Sequence, residues 1–164
     1  MTRQDEVPSK VQISTSEPAT ELVVTAMKDP SDIRACFEVM KLLRPSCRTP
    51  DEFVEQVLRL QAAEEYVLLA ARLDGGTICG VVGFRLIENL MHGRHVYVDD
   101  LVTAQEHRSQ GIGAELLKCV VAQASRSHCT KILLDTGADN KNAARFYLKT
   151  GFSITALRFT MVLD

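Results

Sequence analysis

Residues 66 to 103 carry three β-rich runs with no helical pattern between them, and this feature restricts the fold more than any other. The first two runs, 66–73 and 77–87, are joined by "DGG", which is typical of a tight hairpin. The loop "ENLMHG" leads to the third run, 94–103. Parallel neighbours would need a crossover connection, so consecutive strands of this kind pair antiparallel. The sequence therefore predicts an antiparallel meander.

The segment before the meander has the pattern of one strand and two helices. A strand is predicted at 21–28, and residues 29–44 repeat apolar side chains every three to four positions, which predicts a helix. These side chains are Ile33, Phe37, Met40 and Leu43. The second helix begins at Thr49, because Thr49, Pro50 and Glu52 form a capping box. Its apolar face consists of Phe53, Val57 and Leu60.

The segment after the meander continues with a helix, a strand, a helix and one or two closing strands. An apolar stripe at helical spacing consists of Ile112, Leu116, Leu117, Val120, Val121 and Ala124. A strand is predicted at 130–137, a helix at 140–151 ending with Gly151, and the closing strands in 152–163. In a chain of 164 residues, this order predicts a single α/β domain over residues 21–164.

The composition excludes several classes of partner. The net charge is −2 and the aromatic residues are scattered, so neither nucleic acid nor a membrane surface is an expected partner. No apolar run is long enough for a transmembrane helix. Residues 1–20 lack the apolar block of a secretory signal, and we expect a flexible tail there. A small molecule is the expected partner.

The cysteines and histidines favour a reduced, metal-free protein. The five cysteines form no Cys-x-x-Cys pair, and Cys36, Cys79 and Cys119 lie within apolar patterns. This distribution predicts reduced thiols in the core of a cytoplasmic protein. The four histidines lack the spacing of helical zinc ligands, so no metal site is expected.

The stretch "RSQGIGAELL" (108–117) places two glycines directly before a helix. A helix N-terminus has unpaired N–H groups and a partial positive charge, so this position suits an anion. The dinucleotide fingerprint would need glycine where Leu116 stands, and the Walker loop would need Lys-Ser or Lys-Thr after Gly113. From the loop alone, an ordinary tight turn remains an equal alternative.

A second motif downstream, "NAARFYLKTGF" (142–152), supplies the context for this loop. Together, in this order, the two motifs resemble the GNAT superfamily of acetyl-CoA-dependent N-acetyltransferases. The resemblance implies a central, mixed and mostly antiparallel sheet of six to seven strands, flanked by about four helices and splayed between the fourth and fifth strands. It also implies acetyl-CoA as cosubstrate, without a metal, and allows a homodimer.

The resemblance implies two groups of coenzyme-binding residues around the loop. The end of the fourth predicted strand would bind the pantetheine arm through Leu101, Val102 and Thr103. The loop would bind the pyrophosphate through Arg108, Ser109, Gln110, Gly111, Ile112, Gly113 and Ala114. Further coenzyme contacts are Asn142, Arg145 and Tyr147, although Asn142 could instead be a helix cap.

The resemblance and the side-chain chemistry together point to a proton donor and a proton acceptor. Tyr147 is the expected general acid, because a phenol with a pKa of about 10 is protonated at neutral pH. The base is Asp99 or Asp100; regular alternation would send one to each face, with Asp99 on the face of Tyr97 and favoured as the base. A bulge would exchange the two, and Glu88 or a water relay are alternatives.

The predicted activity is transfer of the acetyl group of acetyl-CoA to a primary amine, by direct attack in a ternary complex. The acceptor is a small amine, an amino acid or a peptide, and the aspartate pair suggests a cationic one. The family's acceptor pocket corresponds here to Phe37, Leu43, Arg44, Phe53, His92 and Tyr97. Alternatives are a noncatalytic acyl-CoA-binding or sensing domain, and an interaction module in which the glycine loop is only a turn.

Overall fold

The computed structural model describes residues 9–12, 21–74 and 76–163. The strands are β1 (Ser9–Gln12), β2 (Glu21–Ala26), β3 (Tyr66–Leu73), β4 (Ile78–Asn89), β5 (Gly93–Thr103) and β6 (Ile132–Leu134). The helices are α1 (Pro30–Ala35), α2 (Phe37–Lys41), α3 (Pro50–Ala63), α4 (Ile112–Arg126) and α5 (Lys141–Lys149). Contacts divide the chain into two units, Met1–Leu133 and Leu134–Asp164, and each is described by itself below.

The sheet follows the order of the chain, β1-β2-β3-β4-β5-β6. The pairs from β1 to β5 are antiparallel, so the predicted meander is confirmed. Between β5 and β6, the Val96 N–H donates to Lys131 O (3.0 Å) and the Thr130 N–H to Arg94 O (3.3 Å). Residue numbers increase in the same direction along β5 and β6 in these two hydrogen bonds, which indicates a parallel pair. The sheet is therefore mixed, as predicted.

The body of the sheet is smaller than the predicted six to seven strands. In the described part of the chain it has five strands, β2–β6, and the short β1 lies beside β2 at one edge. β1 falls within the segment predicted as a tail; the rest of that segment lies outside the described residues. The predicted closing strands are absent from 152–163, because an extended apolar run becomes a strand only where it pairs, and the described residues give it no strand partner.

The described residues contain five α-helices rather than the predicted four or so, because the first predicted helix is divided into two short ones. The Cys36 N–H donates to Ile33 O at 3.0 Å, a tight turn that ends α1, and α2 starts at the next residue. Ile33, Phe37 and Met40 are buried as predicted, whereas Leu43 is exposed beyond the end of α2. The capping box of α3 is confirmed, since Thr49 Oγ1 accepts from the Glu52 N–H at 3.2 Å.

Helix α4 packs on the sheet where β4 has a glycine. A Cβ on Gly80 would lie 2.7 Å from Ile112 Cγ2 and 3.1 Å from Leu116 Cδ1. Both side chains are fully buried, so the missing Cβ sets how closely the first turns of α4 approach β4. The predicted stripe is confirmed except at Val121, which is 51% exposed, while Cys119 is buried in its place.

We expect Gly80→Val to lower the free energy of unfolding by about 1–3 kcal/mol, because the new side chain overpacks a filled site. Urea denaturation measures the change. The control is Val121→Ala on the exposed side of α4, for which we expect a change within about 0.5 kcal/mol. Equal stability of Gly80→Val and the unsubstituted protein would mean that the helix is not held at this distance by the glycine.

The buried core of the first unit lies on both faces of the sheet. Side chains of α1, α2 and α3 pack with Tyr66, Leu68 and Val81 on one face. All five cysteines are free, and Cys36, Cys79 and Cys119 are buried, which confirms their predicted place in the core. None of the helices in the described residues is long and apolar enough to cross a membrane.

The second unit contains α5 and the C-terminal segment. Asn140 Oδ1 accepts from the Ala143 N–H at 3.1 Å and caps the helix. Gly151, with φ of +96°, follows the helix end as predicted, in a conformation that favours glycine. Asp135 and Arg158 form an ion pair at 2.6 Å. The apolar side chains of the C-terminal segment, including Leu157, Phe159 and Met161, are exposed.

Candidate active site

The glycine loop is a bent backbone that ends in the first turn of α4. After the short 3-10 helix Gln105–His107, Ser109 has φ of +63° and Gly111 has φ of +84°. Gly111 is the residue before α4 and lies in open space, so its left-handed backbone, rather than crowding, requires glycine there. A left-handed residue followed by a right-handed helical one turns successive N–H groups toward one point, an arrangement that binds anions.

The start of α4 leaves this point suited to negative charge. No side chain caps the helix, and the Ala114 and Glu115 N–H groups are the first to bond back to Gly111 O. Glu115 lies in the first turn, but its carboxylate is paired with Lys118 Nζ at 2.6 Å. Arg108 is exposed directly before the loop. An anion here would meet helix-end N–H groups and a guanidinium.

Strand β5 contains a β-bulge at the aspartate pair. Gly83 of β4 lies opposite Asp100, while the next residue, Phe84, lies opposite Val98, so Asp99 is the extra residue. Asp100 therefore shares a face with Val102 and Tyr97, and Val96 and Val98 lie on the other. Regular alternation would send Asp100 to the face opposite Tyr97; this expectation is wrong, because the bulge shifts the register by one residue.

Each aspartate of the pair is bound by its own arginine. Arg85 grips Asp99 with two hydrogen bonds, Nε to Oδ2 at 2.9 Å and Nη2 to Oδ1 at 2.7 Å. Arg85 Nη1 donates to Glu64 Oε2 at 3.0 Å. Arg44 donates from Nε to Asp100 Oδ1 at 2.6 Å and from Nη2 to Asp99 O at 2.7 Å. The two carboxylates are therefore each paired with an arginine. The expectation of a cationic acceptor had treated them as a free negative patch.

Tyr66, on β3, also contacts Asp100. Its hydroxyl donates a hydrogen bond to the Asp100 carboxylate. A Cβ on Gly83 would overlap this hydroxyl, so the glycine opposite Asp100 provides the space for it. Burial, followed by the charges of Asp100 and Asp99, raises the pKa of Tyr66, so the phenol stays neutral and able to donate.

Asp100 is the more buried carboxylate of the pair, with its side chain 13% exposed against 23% for Asp99. Burial raises the pKa of Asp100, and the hydrogen bond and charge of Arg44 oppose that rise. A carboxylate with a raised pKa takes up a proton more readily than an ordinary aspartate. Arg85, whose three nitrogens all donate, has a raised pKa, chiefly through its hydrogen bond to Asp99.

In the second unit, Tyr147 lies half-buried on α5 between two aromatic rings. Its ring centroid is 5.3 Å from that of Phe146 and 5.6 Å from that of Phe152. Burial raises the pKa of Tyr147, which keeps the hydroxyl protonated at neutral pH. Asn142 and Arg145 lie exposed on the same helix, and the cap is Asn140, so the alternative role of Asn142 as the cap is wrong.

Sequence reasoning missed Arg85, Glu64, Tyr66 and Gly83 as members of the site. Arg85 carried a signal, since it is the one charged residue in the apolar run "ICGVVGFRLI". A charge in a buried strand needs a partner, and the neighbouring strand offers the aspartates. Within the described part of the chain, no three metal-ligating side chains lie together.

Comparisons with known proteins identify the family of the chain. The model of the Acetyltransferase (GNAT) family matches residues 35–152. The uncharacterized N-acetyltransferase YhdJ of Bacillus subtilis is 30% identical over 115 residues, 68% of this chain and 81% of the relative. The aminoalkylphosphonate N-acetyltransferase of Salmonella typhimurium is 28% identical over 92 residues, 56% of this chain and 60% of the relative. This chain thus spans less than two thirds of the second relative.

The fold also matches solved structures. The aminoglycoside N-acetyltransferase AAC(6')-Iy in complex with CoA aligns with a TM-score of 0.77 at 17% identity, over 91% of this chain and 99% of that one. A ribosomal-protein-alanine N-acetyltransferase from Brucella melitensis aligns with a TM-score of 0.74 at 19% identity, over 87% of this chain and 99% of that one. The mixed sheet with α4 against it is the GNAT fold.

The fold and the matched segment define an acyltransferase. The chain belongs to the GNAT family of N-acetyltransferases.

Proposed function

We propose that this chain transfers the acetyl group of acetyl-CoA to a primary amine by direct attack in a ternary complex. The observation that carries the proposal is the loop before α4, where Gly111 is left-handed, no side chain caps the helix and Arg108 is exposed at the start of the loop. The relatives' names specify different acceptors, among them an aminoalkylphosphonate. Their shared feature is N-acetylation, and a primary amine is the acceptor we propose here.

Two segments of the first unit would hold the coenzyme. Arg108 and the amides of residues 109–114 would bind the pyrophosphate, because an anion gains most at a helix N-terminus. Residues 101–103 lie at the end of β5, which has 11 residues against three in β6. Backbone groups past the end of a short neighbour can bind an extended arm as an added strand. Asn142 and Arg145 are proposed coenzyme contacts from the family resemblance alone.

The β5 bulge suits the reacting end of the coenzyme. A bulge leaves one residue outside the regular ladder, and its backbone amide can donate to the thioester carbonyl. Such oxyanion donors contribute about 2.7–4 kcal/mol in other acyl-transfer enzymes. As the amine nitrogen bonds to the carbonyl carbon, the carbon–sulfur bond breaks, and the products are an amide and the free thiol of coenzyme A.

Two protons must move during this exchange. Asp100 is the proposed acceptor of the proton that the amine loses, because its raised pKa favours uptake, whereas both oxygens of Asp99 are bound by Arg85. Tyr147 is the proposed donor to the departing thiolate, because its pKa is raised and its phenol is therefore protonated at neutral pH. The proposal thus moves the base from Asp99, favoured by the sequence, to Asp100.

Three of the five thiols are poor candidates for an acetylated cysteine, which favours direct attack. Burial raises the pKa of Cys36 to about 12 and also raises the pKa of Cys79 and Cys129. A thiol with a raised pKa contributes little thiolate, which is the nucleophilic form. Intersecting lines in double-reciprocal initial-rate plots are expected for a ternary complex; parallel lines would indicate an acetyl-enzyme.

The proposal is tested by thermal stabilisation with acetyl-CoA, followed by thiol release across a panel of primary amines. We expect both binding and release. Stabilisation without release for any amine would favour the sensing domain, and no stabilisation would favour an interaction module.

We expect Arg108→Gln to weaken acetyl-CoA binding about 10-fold or more, because hydrogen bonds to charged groups contribute about 1.5–3 kcal/mol. Isothermal titration calorimetry measures the Kd. The control is Arg126→Gln at the other end of α4, whose guanidinium donates to Gln123 Oε1, and its Kd is expected to stay within about twofold. Equal Kd values for the two variants would remove Arg108 from the coenzyme site.

A further inference from the structure

The two arginines beside the aspartate pair, Arg44 and Arg85, differ in how many of their N–H donors are already used in hydrogen bonds. A guanidinium has five N–H donors. All three nitrogens of Arg85 already donate, to Asp99 and Glu64. Among the described residues, Arg44 donates two hydrogen bonds, from Nε and Nη2, and none from Nη1. The outer edge of Arg44, formed by Nη1 and Nη2, is therefore available for a further acceptor of hydrogen bonds.

Arg44 is also the more accessible of the two guanidiniums. Its side chain is 48% exposed, while the Asp100 side chain to which it is bound is 13% exposed. Arg44 thus binds a buried carboxylate through Nε, while about half of its side chain is exposed to solvent. A planar guanidinium edge of this kind binds a carboxylate or phosphonate with two parallel hydrogen bonds.

From this geometry, and resting on the proposed function, we infer that the acceptor is an aminoalkyl acid. Its primary amine reacts beside Asp100, and its carboxylate or phosphonate binds the outer edge of Arg44. Arg44 is then a residue that determines acceptor specificity. A short chain between the two groups suits the site, because Arg44 Nε lies only 2.6 Å from Asp100 Oδ1.

The charge balance of the cluster supports a zwitterion over a dication. Two guanidiniums, Arg44 and Arg85, face three carboxylates, Glu64, Asp99 and Asp100, which leaves one negative charge. The ammonium of the acceptor balances that charge before it loses its proton. A second ammonium would lie beside Arg44, where like charges repel, whereas an anionic group there is attracted.

The test compares acceptors that differ in one group, namely β-alanine, β-alaninamide, aminoethylphosphonate and putrescine. We expect kcat/KM for β-alanine and aminoethylphosphonate to exceed that for β-alaninamide and for putrescine at least 10-fold. If β-alaninamide or putrescine is acetylated as well as β-alanine, the inference is overturned and the proposed function stands. If acetyl-CoA binds and none of the four amines is acetylated, the inference is overturned, and the proposed function fails only if no amine of the wider panel releases the thiol either.

For the variant Arg44→Gln, the measured quantity is a ratio of two kcat/KM values, because loss of the guanidinium also affects Asp100. The ratio of kcat/KM for β-alanine to that for β-alaninamide cancels any loss common to both acceptors. We expect Arg44→Gln to reduce this ratio about 10-fold or more, mainly through KM, and Arg44→Lys to restore part of it.

The matched control is Arg85→Gln, in the same cluster, which should lower both rates alike and keep the ratio within about twofold. An unchanged ratio in a folded Arg44→Gln variant would overturn the inference, as would an equal change in Arg85→Gln. Thermal melting without ligand checks that both variants fold.

Discussion

Replacing Tyr147 with phenylalanine is expected to lower kcat about 100-fold or more and to leave the Kd for acetyl-CoA within about twofold. The substitution keeps the ring that packs edge-to-face with Phe146 and Phe152 and removes only the hydroxyl. Because burial raises the pKa of Tyr147, that hydroxyl carries its proton at neutral pH and can give it to the departing thiolate. Thiol release at saturating substrates measures kcat, and calorimetry measures the Kd.

The control for this variant is Phe152→Leu, which changes the same aromatic cluster without removing the hydroxyl. We expect its kcat to fall less than about 10-fold. If Tyr147→Phe retains full kcat, the residue is a packed aromatic and not the acid. If its Kd rises as much as its kcat falls, the hydroxyl binds the coenzyme instead of donating a proton.

The elements that the sequence predicted well are those set by neighbouring residues. The Thr49 cap forms because its side chain needs only the Glu52 N–H, three residues away. The helix after the glycine loop begins where predicted, since Gly111 supplies the left-handed residue and Ile112 and Leu116 supply the apolar face. Local chemistry of this kind is readable from the sequence alone.

The parts that the sequence could not supply depend on residues far apart in the chain. The bulge at Asp99 is a shift in the pairing register between β4 and β5, and the sequence of β5 by itself does not indicate it. The grip of Arg85 on Asp99 then follows from that register. Arg44 reaches Asp100 across 56 positions in the sequence, so the arginine that neutralises the base could be identified only after folding.

Replacing Asp100 with asparagine is expected to lower kcat/KM at neutral pH about 100-fold or more, because the amide cannot take the proton of the amine. It should also change the pH profile. In the unsubstituted protein, activity is lost as the pH falls through the raised pKa of Asp100, since only the carboxylate is a base. Asparagine does not titrate, so this acid limb disappears. Rates over a range of pH at fixed ionic strength measure both effects.

The comparison with Asp99→Asn decides between the two aspartates. Asp99 is the bulged residue and both its oxygens are engaged by Arg85, so its loss should disturb the position of the strand and of Arg85. We expect a loss of about 10-fold with the acid limb retained, because Asp100 still titrates. If Asp99→Asn abolishes the limb and Asp100→Asn keeps it, Asp99 is the base. Were both variants to keep the limb, the proton would go to another group, such as Glu88 through water.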